Sequence, residues 1–384
     1  MKFSILLPTR NGGAFLENCI RSILEQDHDD FELVISDNAN TDQTPDILRG
    51  FASDARVKIV RLETPVSVTD NWNNALRHSC GDYLLMMGDD DYLLPGYLRF
   101  MTDLLEKYKQ PDCVVYNGYS YICPGSINNN LNSFYGEEHF HFGPGLSTEH
   151  LLNPEERFDI VRDMYRFHVQ IPLNMQTTLV SRKAFAKVNG GLFHAPFPDH
   201  YALNALLLTA ENWVFTPERL VIVGVSPKSF GHYVYSNQQN QGLAYLGIAS
   251  DFPGRLPGNE LMNGMHVWLN LLQAHYPKQL AEIAVDRAGY VRRQVYAWYM
   301  QHKLGGLTTS GFLRQFGLLS LQDWGGLLAS AFDGPSWKRL LRILSTRRQS
   351  DVQAQWHGLK PLDNISDIRQ FSQWLISQRN SAKT

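Results

Sequence analysis

Three aspartates stand side by side in this chain, Asp89, Asp90 and Asp91, directly after the apolar run Tyr83–Met87 and Gly88. Adjacent carboxylates repel one another, and burying unpaired charge is costly. A divalent cation would relieve that cost. Hard oxygen donors suit Mg²⁺ or Mn²⁺, which take one or two protein carboxylates and complete their shell with water or substrate phosphates. The same triplet also reads as a solvated acidic turn capping the helix that follows. Two further polar clusters sit after apolar runs. Pro8-Thr9-Arg10-Asn11-Gly12-Gly13 follows Phe3–Leu7, and Asp37-Asn38-Ala39-Asn40-Thr41-Asp42 follows Phe31–Ser36.

The elements that must position these clusters can be read from periodicity. Phe3–Leu7, Phe31–Ser36, Val57–Leu62, Tyr83–Met87 and Cys113–Tyr116 are short, nearly continuous apolar runs, the pattern of strands buried on both faces. Between them lie helical patterns: Leu16, Cys19, Ile20, Ile23 and Leu24; a helix opened by Thr44-Pro45; Asn71–Ser79; and one begun at Pro95. Strand–helix alternation implies an α/β fold, a Rossmann-like, mostly parallel sheet flanked by helices. Ligands of such sheets bind outside the carboxyl ends of the strands, which is where all three polar clusters fall.

Residues 124–145 break the alternation with a long loop or hairpin insertion. Glu155–Phe167 returns to helix, Thr177–Ser181 to strand, Asp199–Ala210 to helix, and Trp213–Phe215 and Leu220–Val225 to strand. After about Ser236 the strands stop. Asn259–Leu272, Lys278–Met300 and much of Leu313–Arg348 read as helices broken by glycines, giving a mainly helical C-terminal extension with its junction near 236–255. The expected division is a catalytic domain over 1–235, with halves of about 1–118 and 119–235, and a helical region over 236–384.

The chain has 384 residues, enough for two domains at roughly 100–200 residues each. With 43% hydrophobic and 19% charged residues it can bury a core. Its formal charge of −3 argues against a nucleic-acid partner held by bulk positive charge. Cys19, Cys80, Cys113 and Cys123 form no CxxC pair and read as reduced thiols. No apolar run reaches membrane-span length and the N-terminal run is too short for a signal peptide, so the expectation is a cytoplasmic protein. One stretch qualifies that expectation. Trp337, Leu340, Leu341 and Leu344 share a helical face, while Lys338, Arg339, Arg342, Arg347 and Arg348 add positive charge. Residues 336–348 could touch the inner membrane surface, or form a helix packed on the catalytic domain with a solvated basic face.

Ile5 to Leu98 resembles a family 2 glycosyltransferase of the GT-A fold. The likeness rests on Pro8-Thr9-Arg10-Asn11, on Ile35-Ser36-Asp37-Asn38-Ala39-Asn40-Thr41-Asp42, and on Gly81-Asp82-Tyr83 leading to Gly88-Asp89-Asp90-Asp91 and Leu93-Leu94-Pro95. It continues more weakly to about residue 235. The resemblance implies an inverting transfer of a single sugar from a nucleotide-diphosphate donor, commonly UDP-linked, to a hydroxyl on a saccharide or lipid-linked saccharide. It implies Mn²⁺ or Mg²⁺ as cofactor and bacterial surface polysaccharide or glycoconjugate assembly as the setting. Asp37 would take the nucleobase through its imide N–H. Pro8, Thr9, Arg10 and Asn11 occupy the first nucleotide-binding loop, with Arg10 able to pair a phosphate. Asp42 matches the family's second acid of that region, or serves as an Asx-turn.

The family's usual D-x-D-D would begin at Gly88, where this chain has no acid. That leaves Asp90 as metal ligand with Asp89 nearer the ribose and Asp91 in support; a literal D-x-D count chooses Asp89 and Asp91. By resemblance, Asp199 after Gly190-Gly191 is the general base, though Pro198 stands where relatives carry Glu and an N-cap aspartate would look the same. His200 is the alternative base or a residue lining the site. His232 matches a position used for an additional metal or diphosphate contact, or is structural. His139 and His141 alternate with Phe140 and Phe142 as a hairpin face would. Other functions compete with this one. A sugar-phosphate nucleotidyltransferase needs a Gly-rich basic loop after the first strand, which Thr9–Gly13 matches poorly. A non-catalytic carbohydrate-binding relative would have no need of the aspartates. A processive synthase would carry membrane helices and a Gln-x-x-Arg-Trp motif.

Overall fold

A computed structural model describes residues 1–127, 131–139, 147–168, 174–229, 251–303, 305–330 and 358–381. Its strands are β1 (Phe3–Thr9), β2 (Phe31–Asp37), β3 (Val57–Arg61), β4 (Tyr83–Met86), β5 (Tyr92–Leu93), β6 (Cys113–Ile122), β7 (Ser133–Glu138), β8 (His150–Leu152), β9 (Thr178–Ser181), β10 (Trp213–Val225) and β11 (Lys360–Leu362). The first seven helices are α1 (Leu16–Leu24), α2 (Thr44–Phe51), α3 (Val68–Arg77), α4 (Tyr97–Lys107), α5 (Pro154–Tyr165), α6 (Arg182–Phe185) and α7 (Pro198–Thr209).

One sheet organises the chain, in the order β11-β7-β6-β9-β4-β1-β2-β3. β1 pairs in parallel with β2 and β4, β2 with β3, and β6 with β10. β9 is the reversed strand between β4 and β6. The mainly parallel α/β sheet flanked by helices is thus the expected fold class. Alternation along β1 explains its two-sided cover. Phe3, Ile5 and Leu7 face a core built with Leu16, Ile20 and Ile23 of α1 and Met101 and Leu105 of α4. Leu6 faces the opposite core, with Ala75 of α3, Met164 of α5 and Leu203 of α7. Strands covered on both faces need apolar residues at nearly every position, hence the continuous runs.

The second core extends into the C-terminal helices. Trp268 on the helix Glu260–His275, and Tyr290 and Trp298 on the helix Arg287–Lys303, are all fully buried in it. Four expectations need correction. Trp213–Phe215 and Leu220–Val225 are one strand, β10, whose register against β6 slips between Thr216 and Ile222. The helix expected over Lys278–Met300 starts at Arg287, because Asp286 accepts the Ala288 N–H at 2.9 Å and turns the chain there. The stretch from Leu313, expected as helices broken by glycines, holds two short helices, Thr309–Phe316 and Leu321–Ser330, on either side of Gly317, the first opening four residues earlier than expected. Strands do not stop near Ser236, since β11 pairs with β7. That pairing uses the 124–145 insertion, where β7 folds back on β6. His141, His232 and the basic stretch 336–348 lie outside the described residues. All four cysteines are free, and only Cys80 is exposed.

The last helix, Ile368–Ser381, returns to the N-terminal sheet. Phe371 is fully buried and stacks on Tyr121 of β6 at 5.4 Å, with Tyr135 and Trp374 around it. Tyr92, in the short strand β5 after the acidic turn, and Leu94, just beyond it, belong to the same cluster. Phe371→Ala should lower stability by about 3–5 kcal/mol, the usual cost of emptying a buried aromatic site. A urea midpoint unchanged from wild type would show that this helix does not dock.

Candidate active site

Three loops meet at the carboxyl edge of β1, β2 and β4, and their meeting is fixed by hydrogen bonds. Asn11 takes a left-handed φ of 55°. Its N–H donates to Asn40 Oδ1, and its own Oδ1 accepts the Thr41 N–H at 2.9 Å. Asn38 pairs both ends of its amide with the Val66 backbone, at 3.0 and 2.8 Å, and so holds the chain leading into α3. These contacts frame an open cleft with about 700 Å³ of empty space, lined by Pro8, Arg10, Asn38, Trp72, Asp89, Asp90 and Lys228 among others.

The three aspartates part company in direction. Asp89, half-buried, accepts the Thr9 hydroxyl at 2.6 Å and the Arg10 backbone N–H, and lines the cleft. Asp90 also lines it, while one of its oxygens accepts the Ser226 N–H at 3.1 Å. Asp91 is buried and turned inward, accepting the N–H of Gly224 at 2.9 Å and that of Gly88. Burial, and then the charge of Asp90, pushes the carboxyls of Asp89 and Asp91 above the usual carboxylate range; burial likewise raises Asp90. The charge of Lys228 and the bonds from Thr9 and Arg10 oppose the rise at Asp89 without cancelling it. Among the described residues no group of three or more His, Cys, Asp or Glu side chains is arranged to hold a metal ion. The pair Asp89 and Asp90 still fits a hard divalent cation that takes its other ligands from phosphate and water.

Two glycines make this packing possible. A Cβ on Gly12 would stand 2.0 Å from Asp89 Oδ2, and one on Gly224 would stand 1.8 Å from the Asp90 carbonyl oxygen.

Asp37 is buried with both oxygens engaged. Oδ2 meets Arg61 at 2.9 Å, and Oδ1 accepts the backbone and side-chain N–H groups of Asn40 at 3.0 and 2.8 Å. Of roughly four lone-pair positions on a carboxylate, about one is left for a ligand. Its neighbour Asn38 lines the cleft and Asp37 does not. Asp42, read from sequence as a nucleotide-sugar contact or an Asx-turn, makes the turn's bonds, accepting the N–H of Thr44 at 3.0 Å and of Gly13 at 3.1 Å. Partial burial pushes its carboxyl upward, but the bonds from Thr44 and Gly13, with Lys228 3.7 Å away, hold it below the usual range.

Asp199 lies in the first turn of α7, half-buried, and is not its N-cap; Phe197 is. Its Oδ2 stands 3.9 Å from His200 Nε2. His200 itself is buried between Phe197 and Trp268. Asp199 is not among the cleft-lining residues; Trp72, which lines it, packs edge-on against Phe193 of the loop before α7 at 5.2 Å. His139 directly follows β7, with its ring 3.7 Å from Glu137.

Sequence reasoning missed Trp72, Asn71, Ser226, Lys228 and Ser229, all of which line the cleft. Lys228 donates to the Asn11 carbonyl from a turn more than two hundred residues away along the chain. Nothing local in the sequence marks it.

Residues 4–163 match the family model described as Glycosyl transferase family 2. This part of the chain belongs to that family. The family 2 domain is 40% identical over 92 residues to a PGL/p-HBAD biosynthesis glycosyltransferase of Mycobacterium bovis, covering 24% of this chain and 36% of the relative. It is 33% identical over 123 residues to a GalNAc(5)-diNAcBac-PP-undecaprenol beta-1,3-glucosyltransferase of Campylobacter jejuni, covering 32% of this chain and 37% of the relative. The chain thus spans little more than a third of these relatives' length. Solved structures similar to it include S. aureus TarS 1-349 in complex with UDP-GlcNAc, at 15% identity and a TM-score of 0.46, covering 82% of this chain and 89% of that one.

Gly12→Ala should leave the family 2 domain folded, displace Asp89 from the cleft and weaken any ligand held there. Gly224→Ala strikes backbone, and overpacking of that kind costs about 1–3 kcal/mol or more. Thermal unfolding of both variants checks this; a larger loss in Gly12→Ala than in Gly224→Ala would contradict the packing described.

Proposed function

We propose that the protein is an inverting glycosyltransferase that moves a single sugar from a nucleotide-diphosphate donor, most simply a UDP-sugar, to a hydroxyl of a saccharide or lipid-linked saccharide. One observation carries the reading: the cleft at the strand ends is faced by two carboxylates, Asp89 and Asp90, whose charge is poorly compensated by the protein. A diphosphate bound alone would worsen that repulsion. A diphosphate bound with a divalent cation cancels it.

In this reading Asn38 and Val66 flank the nucleobase, and Asp37 offers its one remaining acceptor position to an imide N–H. Arg10 and Lys228 reach the diphosphate as side-chain cations, with Ser226 and Ser229 beside them. Mn²⁺ or Mg²⁺, held by Asp89 and Asp90, would neutralise charge on the departing diphosphate. Asp91 stays outside that sphere and acts by holding the turn. Asp199 is the general base that takes the acceptor's hydroxyl proton as its oxygen attacks the anomeric carbon opposite the leaving group. His200, buried at its side, keeps the Asp199 carboxylate oriented. Residues 1–235 would carry this chemistry and the later helices support it. The similarity to a glucosyltransferase of an undecaprenol-linked saccharide favours glycolipid or surface-glycan assembly, with the enzyme working on the cytoplasmic side.

UDP should raise the melting temperature only when Mn²⁺ or Mg²⁺ is present, and Asp90→Ala should abolish that rise. An equal rise in the presence of chelator would remove the metal from the proposal. Asp199→Asn keeps the shape of the side chain and removes its basicity. UDP affinity should survive, and turnover with a UDP-sugar that wild type uses should fall by about 10²–10⁴. Near-normal transfer by that variant would exclude Asp199 as the base.

A further inference from the structure

The two short helices Thr309–Phe316 and Leu321–Ser330 leave an apolar face that has no partner among the described residues. Leu313 is 63% exposed, Leu318 55%, Leu321 92%, Trp324 41% and Leu328 70%. On the helix Leu321–Ser330, residues 321, 324 and 328 follow helical spacing and share one side. The opposite side anchors the helix. Asp323 is buried and receives two hydrogen bonds from Arg287, at 2.9 and 3.2 Å, and Leu327 packs into the core. A Cβ on Gly326 would stand 2.9 Å from the Ala288 Cβ, so the two helices meet closely there. Trp324 stacks on Phe316 at 5.6 Å, which joins the exposed side chains of both helices into one surface. The outward placement of these residues follows from a firmly held inner face.

Charge tells what the face suits. From 305 to 330 the chain has two charged residues, Arg314 and Asp323. Asp323 is spent on Arg287, so the exposed charge on these helices is positive. Beyond Ser330 the sequence adds Lys338, Arg339, Arg342, Arg347 and Arg348, with no acid from 334 to 350. Exposed leucine and tryptophan beside Arg314, on helices whose one acid is buried, match the boundary between the headgroups and acyl chains of an anionic bilayer. A second copy docked on the same face would oppose Arg314 to Arg314 with no exposed acid on either helix to offset them.

We propose that Leu313, Leu318, Leu321, Trp324 and Leu328 form a docking surface for an anionic lipid bilayer. The protein rests on the membrane through this face and does not cross it; among the described residues no helix is long and apolar enough to span one. The inference stands apart from the donor and acceptor chemistry. If the catalytic reading failed, the face would still bind lipid.

The test uses the full chain and sedimentation with vesicles of phosphatidylcholine alone or mixed equally with phosphatidylglycerol. Wild type should sediment with the mixed vesicles and much less with phosphatidylcholine. Leu321→Ser combined with Leu328→Ser changes two side chains that pack on almost nothing, so the melting temperature should not move. Binding should fall by about tenfold or more, as expected on losing two inserted leucines. Arg314→Glu should weaken binding to the mixed vesicles and leave the small binding to phosphatidylcholine unaltered. Equal sedimentation of wild type and the double variant would overturn the proposal. So would a wild type that ignores vesicles but dimerises through this face, seen as a dimer by light scattering that the double variant abolishes.

Discussion

Everything at the cleft depends on holding three adjacent carboxylates at one strand end. The protein does this with backbone N–H groups drawn from distant parts of the chain. Asp91 is gripped by Gly224 and Gly88, Asp90 by Ser226, and Asp89 by the Thr9 hydroxyl and the Arg10 amide. Hydrogen bonds to a charged acceptor are stronger than neutral ones, yet they do not cancel net charge. Burial outweighs them here, and the carboxyls stay raised. The turn is well positioned and electrostatically unfinished, the condition in which a bound cation contributes most.

That arrangement explains the elements around it. β10 must end beside the acidic turn to supply Gly224 and Ser226, so it runs parallel to β6 and slips register on the way. β5 leaves the turn only to pair with β10 over Tyr92 and Leu93. The final helix then seals this corner from outside, with Phe371 and Leu375 against Tyr92, Tyr121 and Ile222. The C-terminal region thus does two jobs. Its early helices extend the core behind α5 and α7, and its last turns lock the elements that aim the aspartates.

Much of this is legible in the sequence. β1, β2 and β4 are covered on both faces, and that demand writes itself as unbroken apolar runs. The acidic triplet and the two polar loops were visible for the opposite reason, since polar clusters at strand ends have no packing role to hide in. The division of labour among Asp89, Asp90 and Asp91 was not legible. It is set by amides at positions 224 and 226, and no spacing rule links those to residue 90. Lys228 and Trp72 escaped for the same cause, because each joins the cleft through tertiary placement. Asp42 was ambiguous because a ligand-binding acid and an Asx-turn share one local pattern, and its contacts with Thr44 and Gly13 favour the turn. The returning strand β11 is three residues long, too short for its alternation to register.

The central claim is that the pair Asp89 and Asp90 completes a cation site only together with a nucleotide diphosphate. Counting bound Mn²⁺ by loss of its free-ion electron paramagnetic resonance signal tests this directly, with the protein titrated in the presence and absence of UDP. The account predicts one tightly held ion per chain when UDP is present and only weak binding without it. Mn²⁺ uptake that is identical with and without UDP, or absent in both, would contradict it.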